Sequence, residues 1–342
     1  MRENKLSTKI RSLVTGAGGF IGHHLVSFLR AQGHWVRGVD LKHPEFCASD
    51  ANEYELLDLR RSEDCVRATA DIDEMYALAA DLGGTPHHAQ NFHNNRLINL
   101  HCIEAARKNR VTRYLYASST CVYPELCANI TSNVPLNEED AYQGTPQDAY
   151  AWANLITERL CIQYRQAYGL ETRILRLPDV FGPLGPWLGG RESAPAELCR
   201  KIAAAQLEAL KEIEISGDGE QAVSLCYIDD CITGMYKVMR SDCCEPLNLS
   251  QDRMVSINGL ADMITNIAGV RVNKTYVPGS QRVGGRNSDN TRLKEVLRWA
   301  PQTSLEEGLR RTYLWVEKQV RELASEYSFG IATFPLRSSK VS

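Results

Sequence analysis

At 342 residues, 43% hydrophobic and 24% charged, the chain has ordinary globular composition, with enough apolar material for a large core and two linked lobes. A net charge of −3 without a basic run argues against a nucleic-acid partner, and no apolar stretch approaches the ~18 residues of a membrane span. Eleven scattered cysteines, with a polar start from Met1 to Lys9 that lacks the apolar core of a signal peptide, point to reduced thiols and a cytoplasmic location. No cysteine or histidine spacing indicates zinc, so no metal is expected. The vicinal Cys243-Cys244 reads as packing, and His87, His88 and His93 read as exposed loop histidines.

In chain order, Ile10 to Thr15 predicts a first strand. Gly16-Ala-Gly18-Gly19-Phe20-Ile21-Gly22 follows at once and opens an amphipathic helix through Leu29. A glycine turn between strand and helix permits close backbone approach and aims a helix N-terminus at a pyrophosphate. A second strand, Trp35 to Val39, ends in Asp40, 24 residues after Gly16. That is close to the ~20 expected for an acid gripping ribose hydroxyls, and a carboxylate there repels a 2′-phosphate, so NAD is favoured over NADP. Tyr54 to Leu59 predicts a third strand, with Asp58 at its end near the adenine. Met75 to Ala80 predicts a fourth, where Leu78 and the small Ala79-Ala80 let backbone meet the cofactor. Asp81 to Gly84 reads as a flexible loop. Asn91 to Asn109 predicts a helix with Leu97, Leu100, Ile103 and Ala106 on one face.

The fifth strand, Tyr114 to Cys121, ends in Ser118, Ser119, Thr120 and Cys121. Ligands bind at the carboxyl ends of such strands, so this stretch predicts the floor of an active site. From Gln147 a helix carries Tyr150 and Asn154 on one face, four residues apart, with Leu155, Ile156 and Leu160 as its apolar face. Thr172 to Leu177 is a sixth strand. Asp179 begins an irregular Gly/Pro/Trp-rich region, followed by a helix from Ala194 to Lys211, a strand at Ile213–Ile215, and a helix opened by Tyr227 to Asp230. A last amphipathic helix lies around Leu309 to Val320, and the final ~12 residues read as frayed. The alternation predicts an α/β fold: a Rossmann-type doubly wound parallel sheet with a smaller mixed α/β C-terminal substrate lobe. Residues 1–178 with parts of 213–240 would form the NAD-binding domain, and 179–212 with 241–330 the substrate lobe.

Several stretches carry a family. Thr15-Gly-Ala-Gly-Gly-Phe-Ile21, Ala80-Asp-Leu-Gly-Gly84, Tyr116-Ala-Ser-Ser-Thr-Cys-Val-Tyr-Pro124, Pro146-Gln-Asp-Ala-Tyr150, Gly189-Gly-Arg-Glu192, Gly285-Arg-Asn-Ser-Asp-Asn290 and Trp299-Ala-Pro301 resemble the extended short-chain dehydrogenase/reductases, specifically the GDP-mannose 3,5-epimerase subfamily. The likeness runs over roughly residues 10 to 325. It implies an NAD-dependent reaction on a GDP-sugar: a hydride leaves C4, the 4-ketone acidifies C3–H and C5–H, a cysteine and a lysine exchange those protons, and the hydride returns. By position, Ser119 would bond the C4 oxygen, Tyr150 would take its proton, and Cys121 matches the cysteine base. Gly83, Thr120, Asp179, Glu192, Lys201, Gln221 and Arg286 would contact substrate, with the Arg286 fork suited to the pyrophosphate. It also implies a homodimer formed through the helices near 91–109 and 147–167.

The chain departs from that pattern. The lysine of Tyr-x-x-x-Lys is Asn154, the second proton-transferring lysine is Ser193, Asp179 stands where asparagine is usual, and Val223 replaces an arginine. Serine is a poor acid or base at neutral pH without a partner. These losses favour epimerisation at C4 alone, on a GDP-sugar with room for more carbons than a hexose. A 3,5-epimerase with modified acid/base groups is the alternative, and a nucleotide-sugar-binding protein with little catalysis is a third reading.

Overall fold

The structure, a computed structural model, describes residues 9–82, 88–124, 135–146, 148–251, 253–278 and 287–326. The first half alternates strand and helix: β1 (Arg11–Thr15), α1 (Phe20–Ala31), β2 (Trp35–Asp40), β3 (Glu53–Leu56), α2 (Ser62–Ala68), β4 (Glu74–Ala77), α3 (His88–Lys108), β5 (Arg113–Ser119), α4 (Ala149–Tyr168) and β6 (Glu171–Leu177). The second half is shorter-grained: β7 (Asp179–Phe181), α5 (Ala194–Leu207), β8 (Glu212–Ser216), β9 (Ala222–Tyr227), α6 (Ile228–Arg240), β10 (Leu247–Asn248), β11 (Met254–Ser256), α7 (Ile257–Ala268), β12 (Asn273–Val277), α8 (Thr291–Leu297) and α9 (Leu305–Glu326).

Seven strands form one parallel sheet in the order β10-β6-β5-β4-β1-β2-β3. Successive strand residues point to opposite faces. Leu13, Val39 and Met75 therefore pack under α2, α3 and α4, while Val14, Val36 and Tyr76 pack under α1 and α6. The second core continues without a break into the C-terminal lobe, through Leu198, Ile202 and Leu309. The lobe itself holds a three-stranded sheet, β11-β9-β7, and a two-stranded parallel pair, β12-β8. Of residues 213–240, α6 packs against the large sheet while β8 and β9 belong to the small ones; β10 adds an edge strand to the large one.

Several boundaries differ from the sequence reading for local reasons. The fourth strand stops at Ala77 because the Thr15 hydroxyl takes the amides of Leu78 (3.1 Å) and Ala79 (3.2 Å), which ends the ladder. The helix expected to Lys211 stops at Leu207, where Ala209 turns left-handed at φ 53°. The helix bearing Tyr150 is started by Asp148, whose carboxylate accepts from the Ala151 amide at 2.8 Å, and is ended by Gly169 at φ 73°. Its buried face is only in part the Leu155-Ile156-Leu160 stripe: Leu155 and Leu160 are half-buried against the core, and Ile156 is not. Asn154, Thr157, Glu158 and Cys161 are buried and Ile156 is 44% exposed, because polar partners on β5, β6 and α3 claim that side. Leu100 on α3 likewise faces outward, at 44% exposure.

Candidate active site

The strand order reverses between β1 and β4, and the carboxyl ends of these strands form the crevice in which such folds hold ligands. Gly16 leaves β1 left-handed, at φ 71°, and its carbonyl accepts from the Gly19 amide at 3.0 Å. A Cβ on Gly22 would strike that same carbonyl, so the turn closes only with glycine. The N-terminus of α1 has no side-chain cap and no acid in its first turn, which leaves its amides open to an anion. Phe20 and Ile21, in that turn, are half-buried against the core. Asp40 ends β2; its carboxylate accepts from the Gly18 amide (2.9 Å) and the Leu41 amide (2.6 Å). It thus braces the glycine turn and keeps further lone pairs for hydroxyl donors. These features fit a dinucleotide.

Asp58 and Leu59 lie just beyond β3. The carboxylate of Asp58 is held by both arms of Arg60, which keep its carboxyl below the usual range, and Leu59 is buried. Past β4, Leu78 and Ala79 are half-buried beneath the turn and Ala80 is exposed.

The hydroxyls and thiol at the end of β5 do not act as one cluster. Ser118 points the other way, is 3% exposed, and donates to Glu158 at 2.6 Å. This corrects its placement on the site floor: adjacent strand residues face opposite sides. Ser119 starts a short 3-10 turn over Thr120–Val122, and its Oγ accepts from the Cys121 amide at 3.2 Å. That turn presents half-buried Thr120 and Cys121 beside α4. Asn154 then links the pieces: its Nδ2 donates to the Tyr150 carbonyl at 2.9 Å and lies 3.8 Å from Cys121 Sγ. Ser119, Cys121, Tyr150 and Asn154 are therefore neighbours.

Two residues that the sequence reading missed complete the cluster. Tyr116 donates to Asn154 Oδ1 at 2.9 Å, and Asn99 donates to Tyr116 Oη (3.3 Å) and Thr157 Oγ1 (2.8 Å). The signal was available: Tyr116 lies three residues before Ser119 at the end of a buried strand, where a hydroxyl needs a partner. The Asn154 amide is 2% exposed and occupied on both ends. Burial pushes the Tyr150 phenol well up, Cys121 adds to this, and contact with Asn154 only partly opposes it; no cation figures among these influences. An unassisted Tyr150 is a protonated acid at neutral pH.

On the second lobe, Glu192 is 6% exposed; one carboxylate oxygen accepts from Arg200 at 3.2 Å and the other has no partner among the described residues. Ser193 precedes α5 and makes no side-chain capping bond. Lys201 is engaged with Glu197 (2.7 Å) and the Glu214 carbonyl (2.8 Å). Asp179 begins β7 exposed, Gln221 is half-buried before β9, and Val223 is packed into the core of that strand. Gly83 and Arg286 lie outside the described residues.

The chain belongs to the NAD dependent epimerase/dehydratase family, whose sequence profile matches residues 12–249, and NAD is its cofactor. Among its relatives, GDP-mannose 3,5-epimerase 1 of Oryza sativa subsp. indica is 41% identical over 341 residues, covering 98% of this chain and 88% of that protein. GDP-mannose 3,5-epimerase of Arabidopsis thaliana is 42% identical over 322 residues, covering 92% and 84%. Among solved structures, UDP-glucose 4-epimerase of Thermotoga maritima with UDP-glucose superposes with a TM-score of 0.82 at 26% identity, covering 91% of this chain and all of that one.

Proposed function

We propose that the protein epimerises a GDP-activated hexose, GDP-mannose by likeness, at C3 and C5 through a transient 4-ketone. The likeness at 41% identity over 98% of the chain carries this reading above C4-only chemistry. The cofactor takes the C4 hydride and returns it. The glycine turn and the α1 N-terminus would receive the pyrophosphate, and Asp40 the ribose hydroxyls. Ser119 would hold the C4 oxygen and Tyr150 would remove its proton. Cys121 stands beside them on the turn after β5 and would serve as the proton-transferring thiol. Glu192, with one buried carboxylate oxygen that has no partner among the described residues, suits a substrate hydroxyl.

Ser193, in place of a lysine, favours a second reading in which only C4 inverts and a GDP-sugar with more carbons than a hexose is accepted. Turnover in deuterated water separates the two. Deuterium at C3 and C5 of recovered GDP-mannose is the expected result. A C4 epimer without deuterium would transfer the assignment to C4 chemistry, and no turnover of any GDP-sugar would leave a binding protein.

The protein is further proposed to be a homodimer. Leu100 on α3 and Trp152 and Ile156 on α4 are 40–44% exposed on the outer faces of two packed helices, and two copies would bury them in a four-helix bundle. Ile156→Glu is expected to convert a dimer to a monomer in sedimentation velocity; a wild-type protein that sediments as a monomer would refute the assembly.

A further inference from the structure

On the loop that leaves β2, one thiol rests against a buried histidine on the wall of an open cavity. Cys47 is exposed on the loop that leaves β2, and its Sγ lies 3.1 Å from Nε2 of His23 in the first turns of α1. His23 is 7% exposed, and its other ring nitrogen, Nδ1, is buried without a partner among the described residues. An orphaned buried N–H is costlier than an orphaned lone pair. The hydrogen therefore sits on Nε2 and is donated to the Cys47 sulfur. Burial and neighbouring His24 push His23 below its ordinary range, with Asp50 opposing them, so the ring is neutral at pH 7. An open cavity of about 450 Å³, walled by His43, Pro44, Phe46, Cys47 and Tyr54 among others, gives a small molecule access to the sulfur.

The same loop begins at Asp40. The Asp40 carboxylate accepts from the Leu41 and Lys42 amides, the Lys42 carbonyl accepts from Tyr54 at 2.6 Å, and the His43 ring stacks on Tyr54 with centroids 5.0 Å apart. Phe46 meets Trp315 of α9 edge to face. A group attached to Cys47 would enter the cavity walled by His43 and Tyr54, the residues whose contacts tie this loop to Asp40.

We propose that Cys47 is a modification site for low-molecular-weight disulfides, and that the mixed disulfide weakens NAD binding. Cys47 loses its proton to solvent, and its thiolate, held by the Nε2–H of His23, attacks one sulfur of the disulfide. The Cys47–sulfur bond forms, the reagent's sulfur–sulfur bond breaks, and the departing half leaves as a thiolate that takes up a proton. Cys47 is oxidised and the reagent reduced, so no further oxidant is needed. This inference rests on NAD as cofactor and is independent of the sugar substrate.

The test exposes the full-length protein to glutathione disulfide, with and without saturating NAD, and maps the modified thiols by mass spectrometry. Cys47 is expected to be modified before the other cysteines, NAD is expected to protect it, and the modified protein is expected to bind NAD about fivefold or more weakly. His23→Leu should slow the modification about tenfold, and Cys47→Ser should abolish both the modification and its effect on NAD. Preferential reaction elsewhere, or unchanged NAD affinity after modification of Cys47, would overturn the proposal. The NAD-protection measurement uses only the wild-type chain, so it decides the matter even if His23→Leu does not fold.

Discussion

Tyr150→Phe is expected to lower kcat by about a hundredfold to ten-thousandfold, while the protein keeps its fold and its NAD. Only the phenolic oxygen is removed, and the ring remains on the first turn of α4. Burial and Cys121 favour the protonated form of Tyr150, and the residue four positions on is a neutral amide already committed to Tyr116 and the Tyr150 carbonyl. The phenolate that the proposed role as base requires is therefore scarce at neutral pH. With the folded-state pKa raised, the active form grows as pH rises, so wild-type kcat should climb through the alkaline range instead of levelling near neutrality. Steady-state turnover of GDP-mannose against pH checks both statements. A Tyr150→Phe enzyme that retains a tenth of wild-type kcat would remove Tyr150 from the role of base.

The sequence read well where a residue's neighbours in the chain dictate its conformation. The glycine turn, the acid at the end of β2 and the helix started by Asp148 depend on backbone geometry that only certain residues permit, and the strand–helix alternation followed from them. It read less well where the third dimension sets the partner. A stripe of Leu155, Ile156 and Leu160 looked like a core face because apolarity was the only guide available. Leu155 and Leu160 do pack at its edges, but the fully buried side is polar because Asn99 on α3, Tyr116 and Ser118 on β5, and Arg176 on β6 hold partners for it. Asn154 is the clearest case. As a substitution for lysine it read as a missing charge; in the fold it is a junction joining β5, α4 and the turn that bears Cys121. The likeness to 3,5-epimerases outweighed the inference from Ser193 because one missing proton carrier weighs less than identity across 98% of the chain.

The second large effect is expected from Glu158→Ala. Glu158 and Arg176 are both 0% exposed and form a two-pronged pair, with Nε to Oε1 at 2.9 Å and Nη2 to Oε2 at 2.7 Å. Arg176 also donates to the Glu138 carbonyl (2.7 Å) and to Tyr123 (3.2 Å), which in turn donates to Asn248 at 2.6 Å. The pair thus joins β5, α4, β6 and β10 directly behind the proposed site. Net stabilisation by a buried ion pair is small, because desolvation offsets most of the attraction, but removing one member strands the other's charge at a cost of about 3–5 kcal/mol. Against a total of about 5–15 kcal/mol, that would leave little native protein on warming. The double variant Glu158→Leu, Arg176→Met leaves no orphaned charge and is expected to recover much of the loss. Urea unfolding of the three proteins reads this directly. A Glu158→Ala midpoint equivalent to less than about 1 kcal/mol would mean that water reaches Arg176. The activity of the double variant then has a separate meaning. Glu158 follows Asn154 by one helical turn and accepts from Ser118, the neighbour of Ser119. A stable double variant with reduced kcat would therefore show that the buried pair, beyond holding the sheet together, keeps Ser119 and Asn154 in register for the chemistry at C4.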